Sequence, residues 1–206
     1  MTGLRELKRQ RVREAISATA IALFLERGFD EVSVAEVAAA AEVSKPTLFK
    51  YFPTKEDLVM HRIADHRGEA ARVVRARGPE ETPLGALRRH FLDGLARRDP
   101  VTGLNDHPAV LAFHRMIFET PSLATRVLHY TAQDERALAE ALRGPGVDGL
   151  TARLAACQIL AVQRVLARDN WHRLHDGERA DDAYPHAVRA AERAYDLLAT
   201  GLAPAL

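Results

Sequence analysis

Apolar positions recur at spacings of three and four along most of the chain, and no stretch alternates as a half-buried strand would. The first run covers residues 4–27, with Val12, Ile16, Ala20 and Leu23 on one face and Gly28 placed to cap its end. Two short helices follow. Ser33 caps one over residues 34–41, with Glu36 three positions on as a capping box requires. Ser44 caps another that reaches Tyr51, with Pro46 in its first turn, where a missing N–H costs nothing. Pro53 breaks the chain, and Thr54 caps a long helix predicted over residues 54–77.

Beyond Gly78-Pro79 the same periodicity predicts helices over residues 84–98, 108–119, 122–143, 149–174 and 182–201. Asp99-Pro100, Asp106-His107-Pro108, Thr120-Pro121 and Gly144-Pro145-Gly146 punctuate them, and residues 175–182 read as a polar loop. The 36 alanines favour helix nearly everywhere. The expected fold is all-α: a three-helix domain over residues 1–53 and a larger helical domain over 54–206, with 54–77 as connector.

Charge narrows the possible partners. With 29 basic and 28 acidic residues the chain is not a polycation that coats nucleic acid or membrane, though a local basic patch remains open. All four lysines (Lys8, Lys45, Lys50, Lys55) fall in the first 55 residues. One reading is a genome that prefers arginine codons; the other is lysine kept where a compact charge meets phosphate. Cys157 is the only cysteine, so an intrachain disulfide and a cysteine-rich zinc site are excluded, and its Ala/Leu-rich surroundings suggest a buried, inert thiol. Residues 15–25 are too short to span a membrane and, with Ser17 and Thr19, too polar for a signal-peptide core. A cytoplasmic protein with no membrane partner is expected.

Short helix, tight turn, short helix is the sequence pattern of a helix-turn-helix. Val34, Val37, Ala38 and Ala41 give the first helix a small apolar face that a second can cross closely, and Val43, Leu48 and Phe52 can pack beneath. That leaves Ser44, Lys45, Pro46, Thr47, Lys50 and Tyr51 to face a major groove with hydroxyls, two cations and a phenol. Ser33, Thr54 and Lys55 begin their own helices, where N–H groups and an ammonium can hold the phosphate backbone. The basic segment 5–13 can add phosphate or minor-groove contacts.

These residues resemble the N-terminal domain of the tetracycline-repressor (TetR) family of bacterial transcription regulators. The matching pieces are A-x-x-L-F-x-x-x-G-F at 20–29, S-V-A-E-V-A-A-A-A-E-V-S at 33–44 and T-L-F-K-Y-F-P-T-K-E-D-L at 47–58. Three positions depart from the family pattern: Glu42 stands where the turn usually has Gly, Pro46 where Gly is frequent, and Phe49 where Tyr is usual. The resemblance places Ser44, Lys45, Pro46, Thr47, Lys50 and Tyr51 on a recognition helix, with Lys45 and Thr47 at base edges and Lys50 and Tyr51 on phosphate. It also implies a homodimer that binds an operator in double-stranded DNA and a helical body that binds a small, lipophilic effector.

A two-fold dimer needs a pairing surface, and the last helix carries a near-heptad stripe of Tyr184, Val188, Ala191, Tyr195, Leu198 and Leu202. The helix before it offers Leu150, Leu154, Ala161 and Val165, and the resemblance implies a four-helix interface built from both. Each stripe can instead pack on its own subunit. For the effector, candidates are His90, Phe91, Phe113, His114, Phe118, His129, Gln133 and Trp171, polar and aromatic groups interleaved with apolar ones. Enzyme signals are weak: there is no Gly-rich phosphate loop, no G-x-S-x-G and no H-E-x-x-H. The pairs His61–Asp65 and His172–His175 supply too few ligands for a metal centre, so no cofactor is expected. A helical dimer that coats DNA architecturally and senses nothing stays open as the alternative, with a metal-binding helical enzyme behind it.

Overall fold

The computed structural model describes residues 2–64 and 66–202, with the side chains of Thr2, Leu4, Arg5, Ala64 and Leu202 outside the description. Three sequence expectations therefore fall outside the described residues: Arg5 as a phosphate contact, Asp65 as partner to His61, and Leu202 in the last stripe. Ten α-helices account for the described chain: α1 Thr2–Arg27, α2 Val34–Ala40, α3 Lys45–Tyr51, α4 Lys55–Ala64, α5 Glu69–Ala76, α6 Pro83–Ala96, α7 Pro108–Glu119, α8 Pro121–Leu142, α9 Gly149–His175 and α10 Ala180–Leu202. A 3-10 turn at Pro100–Thr102 follows α6. No strand occurs among the described residues, which contain one isolated bridge between Gly144 and Val147.

The chain divides into two units, Met1–Asp65 with Ala112–Leu128 and His66–Leu111 with His129–Leu206. The division lies past α4 rather than at residue 53, because Leu58 and Val59 of α4 are buried with Ile16, Phe24, Val37 and Phe52 in one apolar core. The predicted continuous helix over 54–77 is also corrected. Gly68 takes φ +66, a left-handed conformation outside α-helical geometry, and α5 starts afresh behind it.

In the first unit the core is assembled by α1 against α2 and α4. The buried Ser17 hydroxyl donates to the Leu58 carbonyl at 2.6 Å, fixing how α1 and α4 meet. Phe24 and Phe29 pack edge to face at 5.0 Å across the Gly28 turn. Ile117 of α7 and Leu123 of α8 complete the same core.

In the second unit α10 packs on both α6 and α9. Tyr195 is buried at their junction, its hydroxyl donating to the Leu87 carbonyl at 3.2 Å and accepting from Gln163 Nε2 at 2.8 Å; burial pushes that phenol up to about 12. The buried Asn170 of α9 donates to the Thr102 carbonyl at 2.9 Å and so ties the 3-10 turn to α9. α9 is long and apolar enough by composition to cross a membrane. It buries Ala155, Ala156 and Ile159 in the core of this unit, and its other face carries Arg153, Arg164 and Arg168.

Candidate nucleic-acid interface

Local capping sets the geometry of the α2–α3 pair. Ser33 Oγ accepts from the Glu36 N–H, and the Glu36 carboxylate accepts from the Ser33 N–H at 2.8 Å and from Arg27 at 2.7 Å. The Ser33 N–H first, then the Arg27 guanidinium and the Ser33 hydroxyl, lower the Glu36 carboxyl to about 2, so this clasp holds throughout the neutral range. The turn between the helices is closed by the Val43 N–H on the Ala38 carbonyl at 2.9 Å, which places Glu42 at φ 54. A side chain in the left-handed region costs about 1–2 kcal/mol, and glycine's extra unfolded freedom returns part of that. Glu42→Gly is therefore expected to raise unfolding stability by about 0.5–1 kcal/mol in urea titration; an unchanged or lower midpoint would show the turn to be unstrained.

The Ser44 hydroxyl accepts from the Thr47 N–H and lies 2.7 Å from Thr47 Oγ1. Leu48 is fully buried, so the opposite side of α3 faces out, and there Lys45, Pro46, Phe49 and Lys50 are all exposed. Lys45 Nζ lies 6.0 Å from the centre of the Phe49 ring. Thr47 is half-buried and engaged with its cap, and Tyr51 is half-buried against the core. Of the residues expected in the groove, Lys45, Pro46 and Lys50 thus stand outward, whereas Thr47 and Tyr51 lie at the flank. Phe49, absent from that set, sits on the outward side.

Thr54 caps α4 reciprocally with Asp57: each N–H donates to the other's side chain, at 3.1 and 3.2 Å. Arg126 of α8 donates to Asp57 Oδ1 at 2.6 Å. Burial by itself would raise the Asp57 carboxyl, but Arg126 and the Thr54 hydroxyl and N–H hold it below its ordinary value. Lys55 is more inward than a phosphate clamp requires. Its ammonium lies 4.5 Å from the Phe29 ring centre and 5.5 Å from that of Phe24, and it donates to the Asp30 carbonyl at 3.5 Å.

The basic segment at the start is helical. α1 extends well before Ile16, the first buried residue among those described, and Lys8, Arg9 and Arg11 are exposed along it. A helix about 10 Å across does not enter a minor groove about 6 Å wide, so the geometry leaves phosphate contact and removes minor-groove insertion. Arg13 is turned over the Phe52 ring at 5.3 Å.

The effector and pairing residues are distributed differently from expectation. Phe113, His114 and Phe118 belong to the first unit, where His114 packs 4.4 Å from Phe118 and Phe113 lies against the core. His90, Phe91, His129, Gln133 and Trp171 belong to the second. Phe91 is committed to that core beside Tyr195, and His90 Nε2 lies 3.1 Å from Glu69, which His66 Nδ1 also approaches at 2.9 Å. His129 bonds Gln133 at 2.9 Å, and Trp171 packs between His172 and His175. A shallow surface hollow of the second unit lies along α10 among Arg189, Glu192, Arg193, Asp196, Leu197 and Thr200, and none of the effector candidates lines it.

On α10, Ala191, Tyr195 and Leu198 are buried in their own unit, which corrects their assignment to a partner-facing stripe, whereas Val188 is half-buried. The outward apolar positions are Leu150, Leu154 and Val165 of α9, with Ala161 half-buried among them, and Leu197 of α10. Cys157 is exposed on α9 rather than buried, and local desolvation with the nearby Glu135 carboxylate pushes its thiol up. No group of three or more His, Cys, Asp or Glu side chains suited to a metal ion occurs among the described residues.

Comparison with known proteins bears on this geometry. Residues 16–61 match the family model described as bacterial regulatory proteins, tetR family. The chain is 32% identical over 177 residues to the HTH-type transcriptional regulator TcmR of Streptomyces glaucescens, covering 82% of this chain and 77% of that one. Among solved structures, NalD of Pseudomonas aeruginosa superposes with a TM-score of 0.58 at 17% identity, covering 91% of this chain and 96% of NalD. The SmeT–triclosan complex superposes with a TM-score of 0.56 at 15% identity, covering 93% and 91%.

Proposed function

We infer from one premise, that this chain belongs to the TetR family of bacterial regulatory proteins, that it is a cytoplasmic transcriptional repressor whose homodimer binds a palindromic operator and leaves it when a small lipophilic effector binds. Its family makes it a transcriptional regulator rather than an enzyme. The observation that carries the finer reading is the outward side of α3. Two cations and an apolar pair project from a helix fixed by its own cap, on a chain whose net charge is only +1. Basic character is thereby concentrated where a groove would meet it.

One such helix reads only a few base pairs, so operator specificity requires two copies about one helical turn apart or a multiple of it. The outward α9 residues Leu154, Ala161 and Val165 support a two-fold pairing face. NalD is a repressor of a multidrug efflux pump and SmeT was solved with triclosan, which supports an apolar effector for this chain.

Release then needs a ligand that binds the free state better than the DNA-bound one, by a coupling of about 1–3 kcal/mol. α8 is the candidate carrier. Within the first unit its Arg126 holds the α4 cap at Asp57. Within the second its Asp134 accepts from the Gly68 N–H at 2.8 Å, while Tyr130 lies under Arg67 at 4.4 Å and Gln133 accepts from Arg67. Among the effector candidates, His129 and Gln133 lie on the second-unit part of α8, Gln133 at Arg67.

Enrichment of random duplexes on the purified protein tests the proposal. A two-fold symmetric site is expected, with affinity falling steeply and linearly on a log–log salt plot. Lys45→Ala with Lys50→Ala is expected to flatten that slope by about 2. Sequence-blind coverage of every duplex would favour an architectural protein instead.

A further inference from the structure

We propose that Arg67 anchors the acidic group of the effector, and that the effector is a small lipophilic carboxylate. The assignment deepens the reading of this chain as an effector-responsive regulator and rests on it. Arg67 directly precedes the Gly68 break and is exposed within the second unit. Its guanidinium lies 4.4 Å from the centre of the Tyr130 ring and donates to Gln133 Oε1. With that amide oxygen engaged, Gln133 Nε2 is the donor to His129 Nε2, 2.9 Å away. The cation is thus held in one pose by a phenol ring and an amide, both neutral.

The same unit holds a second stack that completes the comparison. Arg98 stands over the Tyr184 ring, also at 4.4 Å, and donates to the Asp181 carboxylate at 2.7 Å. Arg89 on Glu81 and Arg164 on Glu135 likewise meet carboxylates of this chain. Arg67 has the ring, but an amide stands where Arg98 has its acid, and no carboxylate of the described residues lies within ion-pair distance of it. The neighbouring acids are engaged elsewhere: Glu69 between His66 and His90, and Asp134 Oδ1 on the Gly68 N–H. Asp134 feels both Arg67 and Arg72, so the three groups leave one positive charge for a ligand to meet. A guanidinium has five N–H donors, of which Arg67 commits one to Gln133, and its planar fork matches the two oxygens of a carboxylate. The Tyr130 and His129 rings, 6.4 Å apart, supply flat surface beside the cation for the effector's apolar body.

Matched acids and primary amides test the assignment on the full-length protein. Naphthoate, anthracenecarboxylate and dodecanoate are each compared with their carboxamides by equilibrium dialysis at neutral pH. At least one acid is expected to bind the wild type about 10- to 100-fold tighter than its amide, the range of a charge-assisted hydrogen bond. Arg67→Gln is expected to bind acid and amide alike, and Arg67→Lys, which keeps the charge without the fork, to fall between. Because Arg67 is exposed, both variants are expected to melt with the wild type, and the wild-type comparison needs no variant at all. The assignment is overturned if no acid is preferred to its amide, or if the preference survives Arg67→Gln. Displacement of an enriched duplex by the same compounds separates this failure from that of the wider reading. Amides that release the duplex as well as their acids do overturn the carboxylate anchor alone, whereas a protein that neither binds any of these compounds nor yields its duplex to them overturns the effector reading as well.

Discussion

Gly103→Ala is expected to destabilise the second unit by at least about 4 kcal/mol, enough to remove much of the stability of an ordinary domain. Two costs combine. Gly103 has φ +73, which costs a residue with a Cβ about 1–2 kcal/mol. The larger cost is steric: a Cβ built there lies 1.9 Å from the Ala167 carbonyl oxygen and 2.8 Å from its carbon. Those atoms belong to the backbone of α9, which cannot rotate away as a side chain would. Relief requires the 3-10 turn to lift from α9, which strains the Asn170–Thr102 hydrogen bond and the burial of Leu104. Gly146→Ala is the control, since Gly146 also has positive φ, at 84, but open space around its Cβ, and it should cost only about 1 kcal/mol. Urea unfolding followed by circular dichroism checks the pair; similar midpoints for both variants would refute the steric account.

The elements most legible in the sequence were those fixed by neighbours a few residues away. Ser33, Ser44 and Thr54 cap their helices as the sequence predicts, Ser33 with the Glu36 partner its spacing requires, because a cap is a contact within one turn. Gly28 ends α1 at φ +95 for the same local reason. The break at Gly68 was not legible: a glycine in a charged helical run is tolerated as often as it terminates one, and here its N–H is held by Asp134, distant in sequence. Periodicity also identified an apolar side on α10 without saying what covers it. Tyr195 and Leu198 meet α6 and α9 of the same chain, and only three-dimensional packing decides between home and partner. Phe49 does not stand out in the sequence because a missing hydroxyl reads as a lost contact until the ring is found facing outward. Likewise Lys55 reads as a surface cation until Phe24 and Phe29 are found beneath it.

The largest functional effect is expected from Leu154→Glu combined with Val165→Glu. Leu154 is 53% exposed and Val165 68% exposed on α9, one side of a helix whose opposite side builds the core. Exposed aliphatic residues lined up along one helix lose water only when a partner covers them. In an isologous pairing each substitution appears twice, so the double variant brings four carboxylates to one apolar seam. Desolvating them costs several kcal/mol, which the arginines already on that face (Arg153, Arg164 and Arg168) offset only in part, and the dimer should dissociate at micromolar concentration. Operator affinity should then fall more than about 100-fold, because the second half-site is no longer engaged at the high effective concentration that the first one confers. The fold should survive, since neither side chain contributes to the core, and the α-helical signal and melting of the monomer separate this outcome from unfolding. Tyr195→Glu makes the opposite case: that side chain is 1% exposed, so a charge there should unfold the second unit rather than separate a pair of intact copies. Sedimentation velocity beside circular dichroism distinguishes these outcomes. A double variant that sediments as a stable dimer would move the pairing face off α9, and a Tyr195→Glu chain that stays folded but turns monomeric would return it to the buried stripe of α10.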